Sequence, residues 1–264
     1  MTGSAPTCPF LGRRQELARL TKAIRNRQSL LIFGPPDCGK TALVDRALAM
    51  LPPEIARLCL RLHAEAPLPK LLRRHVEQLF AAGDPVVRAA YAAQAPNGRS
   101  IETWASSQTA GRLRSLLFRA FDQGSYRLFW DDVRRLGLAH VRFLREVIWM
   151  RKTPVYLLAR SPSYEDLGQA TRLFWAQDQR LELPPLAPDE AEQLFDAAIA
   201  NQRLEQLDLS EFRKQVIEAS RNLPGAIVKM VAMAGQPQYR YGNSVKANLI
   251  YMDYLMQLAS RVQV

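Results

Sequence analysis

Apolar positions along this chain follow two periods, and the switches between them set out its elements. Leu17, Leu20 and Ile24 recur at spacings of three and four, which predicts a helix entered from Phe10–Leu20 and reaching about Asn26. Ser29-Leu-Leu-Ile-Phe33 is a short apolar run of strand length, and residues 41–50 return to helical spacing. Arg57–Leu62 alternates as a half-buried strand does. Residues 68–93 read as helical with a break at Gly83-Asp84-Pro85, 95–100 as a loop, and 101 to about 122 as one helix. Tyr126–Trp130, Pro154–Ala159 and 179–183 read as further strands, with a helix over 138–150 between the first two. Strands alternating with helices predict an α/β fold with a parallel sheet covered on both faces. From Ala187 the pattern is helical only. Pro188 and the acids after it form a suitable first turn, and further helices are predicted at 210–220, 224–234 and 245–262. Pro184-Pro185 marks the hinge, so the expected division is a core over 1–186 and an all-helical lid over 187–264.

Between the first strand and the helix after it stands Gly34-Pro35-Pro36-Asp37-Cys38-Gly39-Lys40-Thr41, a complete G-x-x-x-x-G-K-[ST] phosphate loop. Gly34 and Gly39 allow the backbone to curl so that its N–H groups, with that of Ala42, face a pyrophosphate. Lys40 brings a point charge to the β- and γ-phosphates, and Thr41 offers a hydroxyl to Mg²⁺. The helix that follows turns its positive end to the same anion. A plain glycine turn between strand and helix leaves Lys40-Thr41 unexplained. The expected cofactors are ATP or ADP with Mg²⁺.

The strand Tyr126–Trp130 runs into Asp131-Asp132, a Walker-B-like end. Asp131 is the expected metal residue opposite Thr41, and Asp132 the expected base that orients the attacking water. Paired aspartates can also simply cap the next helix. Arg160 follows another predicted strand, at the edge where ligands sit in open parallel sheets, and can sense a γ-phosphate. It can equally be a surface arginine before Ser161-Pro162.

With these residues assembled, the chain resembles the AAA+ superfamily, in particular the STAND and origin-recognition branch. Phe10-Leu-Gly-Arg-Arg-Gln-Glu-Leu17 is similar to that family's N-terminal nucleotide box, which implies that Gly12 and Arg13 lie against the adenine and ribose. Leu157-Leu-Ala-Arg160 resembles the strand-end arginine of STAND proteins, and Asn222-Leu-Pro224 the Gly-x-Pro motif whose proline packs near the base. The resemblance covers roughly residues 10–235 and implies a P-loop NTPase core of AAA+ type under a helical lid. Asn222 stands where the family has glycine, and Asp132 where it usually has glutamate. The second departure favours a slow switch over rapid hydrolysis. No effector or repeat domain fits in this length, so the effector is expected to be a separate chain.

Charge adds a second question. The chain carries +11, but residues 187–264 hold 8 Lys and Arg against 9 Asp and Glu, so the excess lies in residues 1–186. Such an excess attracts polyanions. It also fits a nucleotide site or an arginine-rich composition. Arg134 and Arg135 follow the Asp pair, and Leu138, Arg142, Arg145 and Trp149 share one helical face, with Arg151-Lys152 beyond. This set can bind duplex DNA, supply an arginine to a neighbouring subunit, or be an ordinary solvated face. Three cysteines fit a reducing cytosol, no apolar stretch spans a bilayer, and the first nine residues lack a secretion signal, so a cytoplasmic location without membrane contact is expected. Three functions remain open. The first is a slowly hydrolysing ATP switch that assembles with itself or an effector. The second is a DNA-binding ATPase regulator, and the third an ADP-bound scaffold that never turns over.

Overall fold

The structure, a computed structural model, describes residues 10–64, 66–94 and 98–262, so residues 1–9 and part of the loop predicted at 95–100 lie outside the described residues. Two compact units emerge. One comprises residues 15–34 and 43–182; the other comprises the described residues up to Arg14, residues 35–42 and residues from Leu183 onward.

The first unit is built on a five-stranded parallel sheet. In chain order the elements are α1 (Arg14–Arg25), β1 (Leu30–Phe33), α2 (Lys40–Ala49), α3 (Pro53–Ala56), β2 (Cys59–His63), α4 (Leu68–Ala81), α5 (Pro85–Ala92), α6 (Ile101–Ser107), α7 (Ala110–Gln123), β3 (Arg127–Val133), α8 (Leu138–Arg145), β4 (Val155–Ala159), α9 (Tyr164–Leu167) and β5 (Arg180–Glu182). The sheet order is β2-β3-β4-β1-β5, with every pairing parallel. β1 and β4 are apolar runs buried from both sides, which is why they do not alternate. Trp130, Phe129, Tyr156 and Phe143 fill the core; Phe129 and Tyr156, partners in register on β3 and β4, stack at 4.3 Å between ring centroids. Full burial of side chains of this size stabilises by about 1.5–3 kcal/mol each.

Three sequence expectations are corrected here. The helix expected from 101 to 122 is two, because Thr109 caps α7 by accepting from the Arg112 N–H at 3.3 Å, and Ser107 and Gln108 bond back to the Trp104 carbonyl. The helix expected over 138–150 is regular only to Arg145. Glu146–Met150 then form a wider π turn, which keeps Val147 in the core and leaves Trp149 and Met150 exposed at 56% and 73%. β3 does not end before the aspartates but runs through them to Val133.

The second unit is helical: α10 (Pro188–Gln202), α11 (Ser210–Ser220), α12 (Pro224–Ala234) and α13 (Ala247–Val262). Proline at the first position of α10 and α12 needs no N–H partner there. Phe195, Phe212, Ile227, Val231 and Ile250 form its core. It is not purely helical, since β6 (Arg240–Tyr241) pairs antiparallel with β7 (Ser244–Val245) across Gly242-Asn243, where Gly242 has φ +57°. That hairpin takes the residues expected to open the last helix, which therefore starts at Ala247.

Candidate functional site

The phosphate loop leaves β1 and enters α2, as its spacing requires. Cys38 is fully buried and donates its N–H to the Pro35 carbonyl at 3.3 Å, which tightens the turn. Lys40 Nζ donates to the same carbonyl at 3.0 Å and lies 3.6 Å from Cys38 Sγ, while Thr41 and Ala42 are exposed at the start of α2. Gly39 has φ +91°, and its α-carbon faces the Pro224 ring so closely that an added β-carbon would stand 3.4 Å from Cγ.

Asp37 is the loop's anchor in the helical unit. It sits at φ +63°, where an aspartate is tolerated better than most residues. Its carbonyl accepts the Gly225 N–H at 2.8 Å, one carboxylate oxygen pairs with Lys229 Nζ on α12, and the other accepts from the Tyr254 hydroxyl on α13 at 3.3 Å. A side chain at residue 225 would collide with Asp37, at 2.8 Å from its carbonyl oxygen. Arg13, buried and at φ +62°, donates to the Cys38 carbonyl at 3.4 Å and to the Pro184 carbonyl. Gly12, at φ +67°, packs where a β-carbon would stand 2.9 Å from the Glu190 carboxylate. Asn222 has φ +58°, in the left-handed region that glycine, and less readily asparagine, adopts. Gly12, Arg13, Pro35, Pro36, Asp37, Cys38, Gly39, Lys40, Thr41 and Pro224 thus belong to one unit. Sequence reasoning passed over Gly225, Lys229 and Tyr254. The signal available was Lys229, alone among apolar residues in the run 224–234.

In the sheet unit, β3 slips register against β4 between Trp130 and Val133, and Asp132 takes φ +50°. This irregularity re-aims the two carboxylates. Asp131 is 4% exposed; its Oδ2 accepts from Arg61 Nη2 at 2.7 Å and its Oδ1 from the Asp132 N–H at 2.9 Å. Arg61, on β2, also pairs with Asp45 on α2, and these acids hold its guanidinium above the usual arginine value against the opposing effect of burial. Asp132 is half-buried and pairs with Arg134 at 3.4 Å. For Mg²⁺, Thr41 is an exposed residue in the first turn of α2, and among the described residues no group of three or more His, Cys, Asp or Glu is placed to hold a metal ion. Asp131 does not fit as a direct ligand in this arrangement, because both of its oxygens already take donors and one of those donors is a cation.

Arg160 leaves β4 just after Ala159, the register partner of the last β1 residue, Phe33, and is half-buried. Of the basic set, Arg135, Arg142, Arg145, Trp149 and Lys152 are exposed. Arg151 is half-buried: it pairs with Asp122 at 2.7 Å and with Glu146 at 3.8 Å, and lies 4.9 Å over the Phe118 ring. Behind Trp130, His75 is wholly buried and accepts the indole N–H at 2.9 Å on Nε2; burial lowers its pKa to about 3.

No protein-family model and no curated protein sequence matches the chain. Solved structures do match in fold. The Orc1 protein of Aeropyrum pernix, solved in complex with DNA, aligns over 97% of this chain and 68% of its own at a TM-score of 0.62 and 14% identity. Cdc6p of Pyrobaculum aerophilum aligns over 89% and 64%, with a TM-score of 0.59 and 12% identity. A STAND ATPase with a tetratricopeptide repeat sensor from Pyrococcus horikoshii aligns over 97% of this chain but 34% of its own, with a TM-score of 0.54 and 15% identity. Among the described residues no helix is long and apolar enough to cross a membrane. The sheet order, the phosphate loop after β1, the following helical region and these likenesses together give the chain the fold of the AAA+ P-loop ATPases, of the Orc1/Cdc6 and STAND kind.

Proposed function

We propose that this chain binds ATP or ADP at residues 34–42 and works as a slowly hydrolysing nucleotide switch, assembling with itself or a separate effector. One observation carries the reading: the loop residue Asp37 is held from α12 and α13 by Lys229, Tyr254 and the Gly225 N–H. A ligand that reshapes the loop therefore alters contacts of the helices as well, and differential contact of that kind is what drives a switch. In this reading Lys40 exchanges the Pro35 carbonyl for a phosphate oxygen when nucleotide binds. In this reading Gly12, Arg13 and Pro224 form the nucleoside side of the site and Arg160 reads the γ-phosphate. Asp132 accepts the proton of the attacking water, and its replacement of glutamate, together with its pairing to Arg134, supports slow turnover. Light scattering with ATP, with ADP and without nucleotide tests the proposal. ATP-dependent assembly lost in Lys40→Ala supports it, and identical mass in all three conditions rejects it.

A second reading, DNA binding, is favoured by the exposed face with Arg142, Arg145 and Trp149 and by the fold likeness to an Orc1 solved with DNA. Electrophoretic mobility of duplex DNA, with and without ATP, separates the two readings.

A further inference from the structure

Asp131 is a buried acid, and a buried acid needs a countercharge. In a P-loop ATPase the carboxylate at this strand position ordinarily serves the magnesium ion. Here the countercharge is covalently part of the chain. β2 lies beside β3 with Arg61 level with Phe129, so Arg61 reaches two residues along the neighbouring strand to Asp131. Its guanidinium forks, with Nη2 on Asp131 Oδ2 at 2.7 Å and Nη1 on Asp45 of α2. Gln78 Nε2 donates to the Arg61 carbonyl at 2.6 Å and holds the strand from α4. The second Asp131 oxygen takes the Asp132 N–H at 2.9 Å. An arginine stays charged at every physiological pH and its planar fork is suited to carboxylates, so this countercharge does not come and go as a dissolved ion does.

We infer that Arg61 takes the place of a divalent cation at Asp131, so that nucleotide binding by this chain does not depend on Mg²⁺. A divalent ion brought to Asp131 meets a fixed like charge hydrogen-bonded to the same carboxylate, and like charges at that range repel strongly in a poorly solvated site. The pairing with Asp45 also ties this countercharge to the helix that the phosphate loop opens, so Arg61 is a positioning residue for Asp131. The inference rests on the proposal that residues 34–42 bind nucleotide.

The test is a titration of the full chain with a fluorescent N-methylanthraniloyl ATP, in Mg²⁺ and in EDTA. Wild-type affinity is expected to differ by less than about threefold between the two conditions. Arg61→Gln is expected to bind at least about tenfold more tightly in Mg²⁺ than in EDTA, with Arg61→Lys restoring the wild-type pattern. A wild type that binds about tenfold more tightly with Mg²⁺ overturns this inference alone, as does an Arg61→Gln protein that remains folded and indifferent to Mg²⁺. No binding in either condition by folded wild type removes the nucleotide reading and this inference with it. The wild-type comparison decides even if Arg61→Gln does not fold. Asp45→Asn, which leaves the Arg61–Asp131 pair in place, is expected to keep the wild-type indifference, and acquired Mg²⁺ dependence there counts against the inference.

Discussion

Lys229 on α12 closes an ion pair on Asp37 of the phosphate loop, 192 residues earlier in the chain, while Tyr254 on α13 donates to the other carboxylate oxygen. The pair is only partly shielded, so removing Lys229 is expected to cost about 1 kcal/mol of stability. Its larger effect is local: Lys229→Ala should speed amide hydrogen exchange at residues 37–41 and at the start of α13. Asp37→Gly keeps the backbone conformation at φ +63° while deleting the carboxylate, and should give the same exchange pattern. Exchange unchanged in both variants would mean the contact holds nothing.

Lys40→Ala removes the point charge expected at the β- and γ-phosphates. ATP affinity measured by calorimetry should fall by about a hundredfold, near 2.7 kcal/mol, without a comparable change in the thermal midpoint. Arg13→Ala should weaken binding too, but with a loss of stability, because Arg13 bridges the Cys38 and Pro184 carbonyls.

Asp132→Asn tests the proposed base. Asparagine tolerates φ +50° and keeps the size of the side chain, so folding and ATP affinity should hold while phosphate release at saturating ATP falls to background. Equal rates in the two proteins assign the base elsewhere.

His75 supplies a pH dependence of stability. Burial takes its pKa down to about 3, below the ordinary value near 6.5 in the unfolded chain. Between those values the unfolded state holds the extra proton, so stability rises with pH. The contribution is complete above about pH 6.5 and is lost as pH falls toward 3, at about 1.4 kcal/mol for each pH unit. Urea midpoints of wild type should therefore drop between pH 7 and pH 5. In His75→Gln, which still offers an acceptor to the Trp130 indole, the drop should be smaller by this share.

If duplex DNA binds at α8, Arg142→Ala with Arg145→Ala should weaken it equally for all sequences. The slope of log affinity against log salt should become shallower by about 2, one for each phosphate contact removed. An unchanged slope places any DNA contact away from this face.

The strands and most helices were legible because their periods are strong. The buried parallel strands read as apolar runs, and the helices at 210–220 and 224–234 have the expected bounds. Boundaries failed where a side chain overrode the period. Thr109 splits a helix by capping from within an apolar pattern, and the π turn at Glu146–Met150 has no residue-type signature of its own. The placement of residues 34–41 between a strand and a helix was legible, since the motif is local. Its supports were not: Lys229, Tyr254 and Gly225 are brought to Asp37 by packing, and spacing says nothing of contacts across some two hundred residues. Arg61 did leave a trace, as a lone charge between Leu60 and Leu62, but only the register of β2 on β3 gives it Asp131 for a partner.

Asp37 leaves the ribosome well before the side chains on α12 and α13 that hold its carboxylate. Tyr254 follows Asp37 by 217 residues, and at roughly 5–20 residues per second the loop waits about 10–40 s for its full set of contacts. A nascent chain that has finished β1–β5 therefore displays the nucleotide motif without the helices that hold it. Under the proposed function, a nucleotide therefore meets the fully braced loop only after α13 has been made.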